Sequence, residues 1–472
     1  MFTKLAKPNK FNEGAPKINA APIFGASPCK EILYKIPVTG ERPMIFTADL
    51  PQGLTISENG IIAGKTDAGR YEVAVCAENR LGKCQKHILF VIEDGAVCQT
   101  PLMGWTSWNA FRDKINHDVI LSAAKALVDT GLSEYGYRFV NIDSDWQGVY
   151  GGKYNAIMPN ENFPDMQKLC SDIHALGLKC GIYSTPMLKA WGCGTSLPGC
   201  TRGDMDMEYR TSYFGIGTEH FEQNNVDQWT EWGFDYLKYD WRPCDIKNAD
   251  LMKQCLKKSS RDFAFCVTVD AEYDNRDYWK ENCTSWRENH DSDDVWEILC
   301  EVCFGADRWL EHASLGHYFD LDMLETGVCN SNKCRLTEDE QLVGYTARVI
   351  FPSPIQISCD LNKLSEFDIA MLCNEEVIAV NQDALGLGAI PTFEKKTVDE
   401  HRNLQTYVKI YEKKLADGKK AVAIFNLGNT AEEITIEAEA RVRDLWAKET
   451  LSSDDGKITI SMHPHTVRLL KL

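Results

Sequence analysis

The sequence predicts a multidomain protein: a central (β/α)8 TIM barrel flanked by an N-terminal Ig-like β-sandwich and a C-terminal antiparallel β-sandwich. Three observations carry this reading. The chain has 472 residues, well beyond the size at which a single hydrophobic core stops growing. Between residues 99 and 390 apolar strand-like runs alternate with helix-length segments, at the length expected of eight β/α units. On either side, residues 19–95 and 391–472 show short β-branched runs, frequent turn residues and no helical periodicity.

In the N-terminal segment, Leu54-Thr55-Ile56 runs into the turn Glu58-Asn59-Gly60 and then Ile61-Ile62-Ala63-Gly64. After Asp67-Ala68-Gly69 comes the alternating run Tyr71-Glu72-Val73-Ala74-Val75, and residues 88–92 close the series. This spacing is that of a small β-sandwich. The segment also resembles Ig-like modules built on a Leu-Pro-x-Gly-Leu and Gly-x-Ile-x-Gly pattern, here Leu50-Pro51-Gln52-Gly53-Leu54 and Gly60-Ile61-Ile62-Ala63-Gly64. Such a module either binds sugar or braces its neighbour, and bracing is the expectation.

The barrel strands are expected at residues 102–108, 137–146, 178–184, 235–241, 263–269, 284–288, 318–323 and 354–361. Intervening stretches such as 117–132, 163–176 and 295–310 carry the helices; Met166, Leu169, Ile173 and Leu176 recur at helical spacing. The long Gly- and Pro-containing loop at 183–209 is expected to be functional. Beyond residue 391, runs at 404–411, 420–426, 433–437, 442–446, 457–462 and 466–472 read as antiparallel strands.

Composition excludes several classes. The net charge of −18 disfavours a nucleic-acid partner, and the basic run at 253–261 reads as a solvated helix face. Apolar runs such as 88–92 and 349–351 are too short to span a bilayer, so no membrane insertion is expected. Residues 1–18 carry no apolar stretch of signal-peptide type. The expected location is cytoplasmic as written, or exported if a leader was removed. The 18 cysteines read as buried thiols rather than a disulfide scaffold. Cys300 and Cys303 lack a second pair at zinc spacing, so neither a metal nor a cofactor is expected.

The active face of a barrel is formed by the strand C-termini, and here these ends are rich in carboxylates and tryptophans. The first carries Trp105 and Trp108, the second Asp143, Asp145 and Trp146, and the third Tyr183. The fourth carries Lys238, Asp240 and Trp241, the sixth Arg287 and then Asp291, the seventh Asp320 and Asp322. One aspartate at a strand end is usually a turn former or helix cap. Carboxylates at four ends point to a pocket for a neutral polyhydroxylated ligand, whose hydroxyls they accept while an indole packs on its C–H face.

At these positions the chain resembles the α-galactosidase/α-N-acetylgalactosaminidase family, glycoside hydrolase family 27. Met103-Gly104-Trp105-Thr106-Ser107-Trp108-Asn109 is similar to its Met-Gly-Trp-Asn-Ser-Trp-Asn signature, and Tyr236-Leu237-Lys238-Tyr239-Asp240 to its nucleophile strand. Trp286-Arg287 with Asp291, Asp320-Leu321-Asp322-Met323-Leu324 and the segment from Asn374 to Asp383 match further family motifs. The resemblance implies a retaining exo-glycosidase with Asp240 as nucleophile and Asp291 as acid/base, about 5–5.5 Å apart. It implies that Trp105, Asp143, Tyr183, Lys238, Arg287 and Asp322 bind the sugar, and that the substrate is an oligosaccharide or glycoconjugate ending in a galactose-like unit. Lys238 lies two residues before Asp240, on the same strand face, where it would bind a hydroxyl and keep the nucleophile ionised.

Four departures from the family pattern bear on specificity. Ser144 stands where a second aspartate is usual, so Ser144 or Asp145 is left to read the C6 side of the sugar. Thr268-Val269-Asp270-Ala271 replaces Cys-Glu-Trp-Gly near the expected C2 substituent. Arg242 replaces a disulfide cysteine, leaving Cys193, Cys200 and Cys244 as possible partners at the rim, and His290 precedes the acid/base in place of glycine. Hydrolysis of terminal α-D-galactosides is the leading expectation. α-N-acetylgalactosaminidase, β-L-arabinopyranosidase, isomaltodextranase-like activity and a non-catalytic sugar-binding protein are the alternatives.

Overall fold

The computed structural model describes every residue except 9, 194–196, 210–213, 306 and 439–440. Its centre is an eight-stranded parallel sheet curled into a barrel. The strands, in chain order, are Met103–Thr106, Phe139–Ile142, Lys179–Ser184, Tyr236–Asp240, Ala264–Thr268, Ser285–Trp286, Tyr318–Phe319 and Ile355–Ile357. Successive strands are neighbours and the eighth pairs with the first. Closure comes from one parallel bridge, Leu324 to Ile357, just past the seventh strand. All eight expected strands form, each shorter than the apolar run that announced it, because the ends turn into loops that carry the polar side chains.

Strand parity separates two environments. Val140, Ile142, Leu237, Tyr239, Phe265 and Val267 face outward into the core shared with the helices. Residues of the opposite parity fill the barrel with a polar layer: Asn141 donates to Gln356 at 2.8 Å, Gln356 to Tyr236 at 3.2 Å, and Ser285 to Asp320 at 3.3 Å. These bonds offset the cost of burying the layer, although Asn141 Oδ1 has no partner among the described residues.

Helix starts follow capping chemistry. Asn116 caps His117–Asp129 by accepting from Val119, and Asp165 caps Met166–Ala175 by accepting from Lys168. Thr337 and Glu340 form a capping box at the start of Glu338–Ile350. Every residue of that last helix after its first is buried, because the C-terminal sheet covers the side that would otherwise meet water. Trp446 Nε1 donates to Thr346 Oγ1 at 3.0 Å, and Phe351, Tyr411 and Phe425 pack around Phe304. Among the described residues the C-terminal sheets contain eight strands, two of which the pattern did not signal. Ile390–Val398 is exposed at every position and so lacks apolar alternation, and it is held by its backbone ladder to Leu404–Lys414. The other is Glu449–Ser452.

The N-terminal segment forms a four-stranded and a three-stranded sheet around one core that includes Phe24, Tyr34, Ile62, Val73 and Phe90. This module sits against the N-terminal ends of the barrel strands. Ser27 N–H donates to Asp262 at 2.7 Å, Lys35 reaches Glu134 at 2.8 Å, and Arg138 lies near the rings of Phe24 and Tyr34. Among the described residues no helix is long and apolar enough to cross a membrane.

Candidate active site

The opposite, C-terminal end of the barrel gathers the inward-facing strand tips. Thr106, Asp143, Tyr183, Lys238, Asp240, Thr268, Arg287 and Asp322 share this layer, supplied by seven strands or the residues just after them. Lys238 Nζ lies 2.9 Å from Asp143 Oδ2, and Thr106 Oγ1 donates to the same oxygen at 3.4 Å. The ring of Tyr183 lies beneath Lys238, 5.6 Å from the ammonium to the ring centroid. Among the described residues the buried Tyr183 hydroxyl has no hydrogen-bond partner, and it lies close enough to Asp240 for that charge to raise its pKa further after burial has done so. An orphaned hydroxyl inside a pocket is a place for a ligand oxygen.

Arg287 is the other organiser. It is buried, donates through Nε to Thr268 Oγ1 at 2.8 Å, pairs through one terminal nitrogen with Asp322, and through the other reaches Asp291 at 2.8 Å. Asp322 also accepts from Ser292 N–H at 2.8 Å. Asp322 is held from behind by Arg348, a wholly buried guanidinium bonded to the carbonyls of Leu321, Asp322 and Met323 at 2.8, 3.2 and 2.6 Å.

The two candidate catalytic carboxylates sit in contrasting surroundings. Asp240 is 8% exposed, and burial pushes its pKa up to about 7 even though Lys238 and Arg287 pull it down; Asp291 and Asp143 add to the rise. Asp291 is at the open mouth, 73% exposed at its side chain. Desolvation by its neighbours pushes its carboxyl up, but Arg287, Lys238 and Arg112 together outweigh this and hold it below the ordinary aspartate value.

Other expected residues fall differently. Trp105 is of outward parity, is completely buried, and donates its indole N–H to Cys359 O at 2.8 Å. It is a core residue behind the site, whereas Trp108, two residues past the tip of the same strand, is half-buried. Ser144 is buried with its hydroxyl given to the carbonyl of Trp191. Asp145, in a left-handed backbone conformation at φ 77°, accepts from Cys193 N–H at 3.3 Å, with its pKa raised chiefly by burial. His290 turns to Glu301 at 3.3 Å. Cys193, Cys200 and Cys244 are all free thiols, and Cys244 donates to Val269 O at 2.7 Å. An Arg242–Asp270 ion pair stands at this rim. Sequence reading did not single out Thr106 or Arg348, and it named Thr268 only within the segment expected near the C2 substituent; strand parity could have found both threonines, whereas Arg348 lies in a helix with no local signal. The expected functional loop folds as two short hairpins, Lys189–Ala190 with Leu197–Pro198 and Thr201–Met205 with Gly217–His220; residues 194–196 lie outside the described ones.

A β/α barrel whose active face presents buried carboxylates, a lysine and an arginine, with an indole just past the first strand tip, is the frame of a glycoside hydrolase. The chain belongs to the α-galactosidase (melibiase) family. Residues 100–383 match the family described as α-galactosidase A, and residues 405–472 match the α-galactosidase C-terminal β-sandwich domain. A rice α-galactosidase is 30% identical over 393 residues, covering 79% of this chain and 85% of that protein. A Bacteroides fragilis structure provisionally assigned as an α-galactosidase is 26% identical, covers 98% of both chains and superposes with a TM-score of 0.85. A β-L-arabinopyranosidase from Geobacillus stearothermophilus, 22% identical over 79% of this chain and 96% of its own, shares the fold at a TM-score of 0.66.

Proposed function

We propose that the chain removes terminal α-D-galactosyl units with retention of configuration, using Asp240 as nucleophile and Asp291 as acid/base. The observation that carries this is the asymmetry of the pair: one carboxylate buried between Lys238 and Arg287, the other at the mouth on the far arm of the same arginine. A nucleophile needs a fixed, enclosed position, whereas an acid/base must reach the leaving group and then water.

In the first step Asp240 Oδ attacks the anomeric carbon, the bond to the leaving oxygen breaks, and Asp291 gives that oxygen its proton. In the second, Asp291 takes a proton from water as the water oxygen displaces Asp240. The surroundings of the pair favour the reverse of the order that catalysis needs: burial pushes Asp240 up to about 7, whereas Arg287, Lys238 and Arg112 hold Asp291 below the ordinary aspartate value. Sugar binding is expected to reverse this order. Hydroxyls that donate to Asp240 favour its ionised form, a leaving group over Asp291 removes its water, and a sugar oxygen accepting from Arg287 loosens its hold on Asp291. Asp143, Lys238, Tyr183 and Asp322 supply the remaining contacts to the sugar.

A second reading, hydrolysis of β-L-arabinopyranosides, is favoured by one observation. The Ser144 hydroxyl gives its proton to the Trp191 carbonyl, so it has none to give a C6 hydroxyl, the group that L-arabinopyranose lacks, and offers it only an acceptor. A panel of p-nitrophenyl α-galactoside, α-N-acetylgalactosaminide, α-glucoside and β-L-arabinopyranoside, with the first-formed anomer followed by NMR, tests both. The expected result is fastest release from the α-galactoside with the product first appearing as the α-anomer. Inversion would overturn the assignment of Asp240.

A further inference from the structure

At the mouth, four residues beyond Trp108 and outside all the contacts above, stands Arg112. Its guanidinium lies 5.1 Å from the Trp108 ring centroid. Among the described residues no carboxylate comes within ion-pair distance of it. Its backbone adopts φ 53° and ψ −126°, a conformation that only glycine takes readily, and its N–H bonds to Trp108 O at 2.7 Å. Backbone strain of this kind persists only where the surroundings impose it. Here they do: Asn109 N–H bonds to Ser358 Oγ at 2.9 Å, its side chain bonds to Glu325 at 2.5 Å, and Ala110 O accepts from Asn330 N–H at 2.9 Å. A rigid turn thus holds an unpaired cation over an indole.

The place of this cation follows from its neighbours. Arg112 is one of the charges that hold the Asp291 carboxyl down and one that lowers the Cys193 thiol. The turn that carries it begins just past the tip of the first barrel strand, Met103–Thr106, where Ser107 Oγ accepts from Asp143 N–H at 2.9 Å, so Arg112 stands on the active face. Asp113, the next residue, acts on Asp145 and Cys193 instead. With its central carbon 5.1 Å from the indole centroid and no ion pair among the described residues, the guanidinium has N–H groups to offer a bidentate oxyanion.

We propose that Trp108 and Arg112 form a leaving-group subsite that selects glycosides whose aglycone carries an oxyanion, such as a uronate carboxylate or a sulfate ester. The inference rests on the functional reading above and extends it from the sugar removed to the group left behind.

The test compares matched aglycones: 3-(carboxymethyl)phenyl α-D-galactoside against its uncharged amide, and the sulfate ester of 3-(hydroxymethyl)phenyl α-D-galactoside against the free alcohol. The readout is the ratio of kcat/KM within each pair. The wild-type protein is expected to favour the charged member by roughly three- to tenfold, less at high salt. Arg112→Gln should bring the ratio to about one, and Arg112→Lys should keep part of it. Arg112→Gly, which suits the left-handed backbone, should also abolish the preference and guards against misfolding as the explanation. Preference for only one pair would identify the oxyanion as carboxylate or as sulfate. A wild-type ratio of one in both pairs, or a preference that survives in Arg112→Gln and Arg112→Gly, would overturn the inference while hydrolysis of the neutral galactosides upheld the functional reading. Failure to cleave any α-galactoside would overturn both.

Discussion

Lys238 reaches across the strand that carries Tyr183 to pair with Asp143 at 2.9 Å, so the lysine nearest the nucleophile is anchored to a different carboxylate. Burial lowers its pKa, but Asp143, Asp240 and Asp322 outweigh this and keep it charged. Lys238→Met leaves Asp143 unpaired and removes the largest force lowering the Asp240 pKa. We expect kcat/KM to fall about a hundredfold or more, with little change in the chromophore released per active site. A variant within threefold of wild type would show that Lys238 serves only the fold.

The protonation order has a kinetic signature. Turnover needs Asp240 ionised and Asp291 protonated, yet in the free enzyme Asp240 titrates near 7 and Asp291 below its ordinary value. The productive form is a minor one, and kcat/KM should trace a bell whose basic limb lies near pH 7 and belongs to the pair as a whole. Removing the Arg112 charge should move the acid limb upward, because less then holds Asp291 ionised. A basic limb about two units higher would refute an upper titration of the pair near 7.

The two carboxylates should also fail differently when removed. In Asp240→Ala, azide can enter from the nucleophile's side and give a glycosyl azide of inverted configuration. In Asp291→Ala, nitrophenyl galactosides still form the covalent intermediate, since a nitrophenolate hardly needs protonation, and azide then yields a product of retained configuration. Azide products of like stereochemistry from both variants would disprove the division of roles.

Ser144→Asp tests how the second strand end is built. A strand-end alignment expects the added carboxylate to improve recognition of a C6 hydroxyl. The buried contact with the Trp191 carbonyl predicts the reverse, because a carboxylate cannot donate there and would sit beside Asp143 and Asp145. Stability should drop by about 3 kcal/mol or more, and the ratio of galactoside to arabinopyranoside hydrolysis should not rise. A raised ratio at unchanged Tm would contradict this arrangement.

Glu325, buried against Asn109, has its pKa raised to about 8, first by burial and then by Asp322. A carboxyl whose folded pKa exceeds its unfolded one is stabilising below the unfolded value and loses that contribution as pH rises through the folded one. The protein should therefore lose stability between about pH 4.5 and 8 on account of this group. Glu325→Gln keeps the acceptor for Asn109 and is expected to raise Tm at pH 8 while leaving it nearly unchanged at pH 5. An equal effect at both pH values would show that Glu325 is not a buried acid.

The barrel was legible because its outward-facing residues form unbroken apolar runs, and Lys238, Asp240, Arg287 and Asp322 were legible because polar residues interrupt those runs at strand tips. Trp105 misled because it belongs to a conspicuous motif, although its parity with Met103 already turned it toward the helices. Arg112 and Arg348 had no signal. One depends on a left-handed turn and the other on three carbonyls contributed by a distant strand end, relationships that arise only once the chain is folded. Ile390–Val398 escaped notice because an edge strand exposed along its length needs no apolar pattern.

Proteins are made from the N-terminus, and domains fold in that order. The module at the bottom of the barrel is therefore expected to fold ahead of the barrel strands that follow it. Asp262 and Glu134, which face its Ser27 and Lys35, then meet an already formed surface as their own strands emerge. At the other end of synthesis, the sheet that shields Glu338–Ile350 arrives last. Until it does, the apolar side of that helix remains open to water, and nascent chains stalled between the two events are the ones a chaperone would be expected to hold.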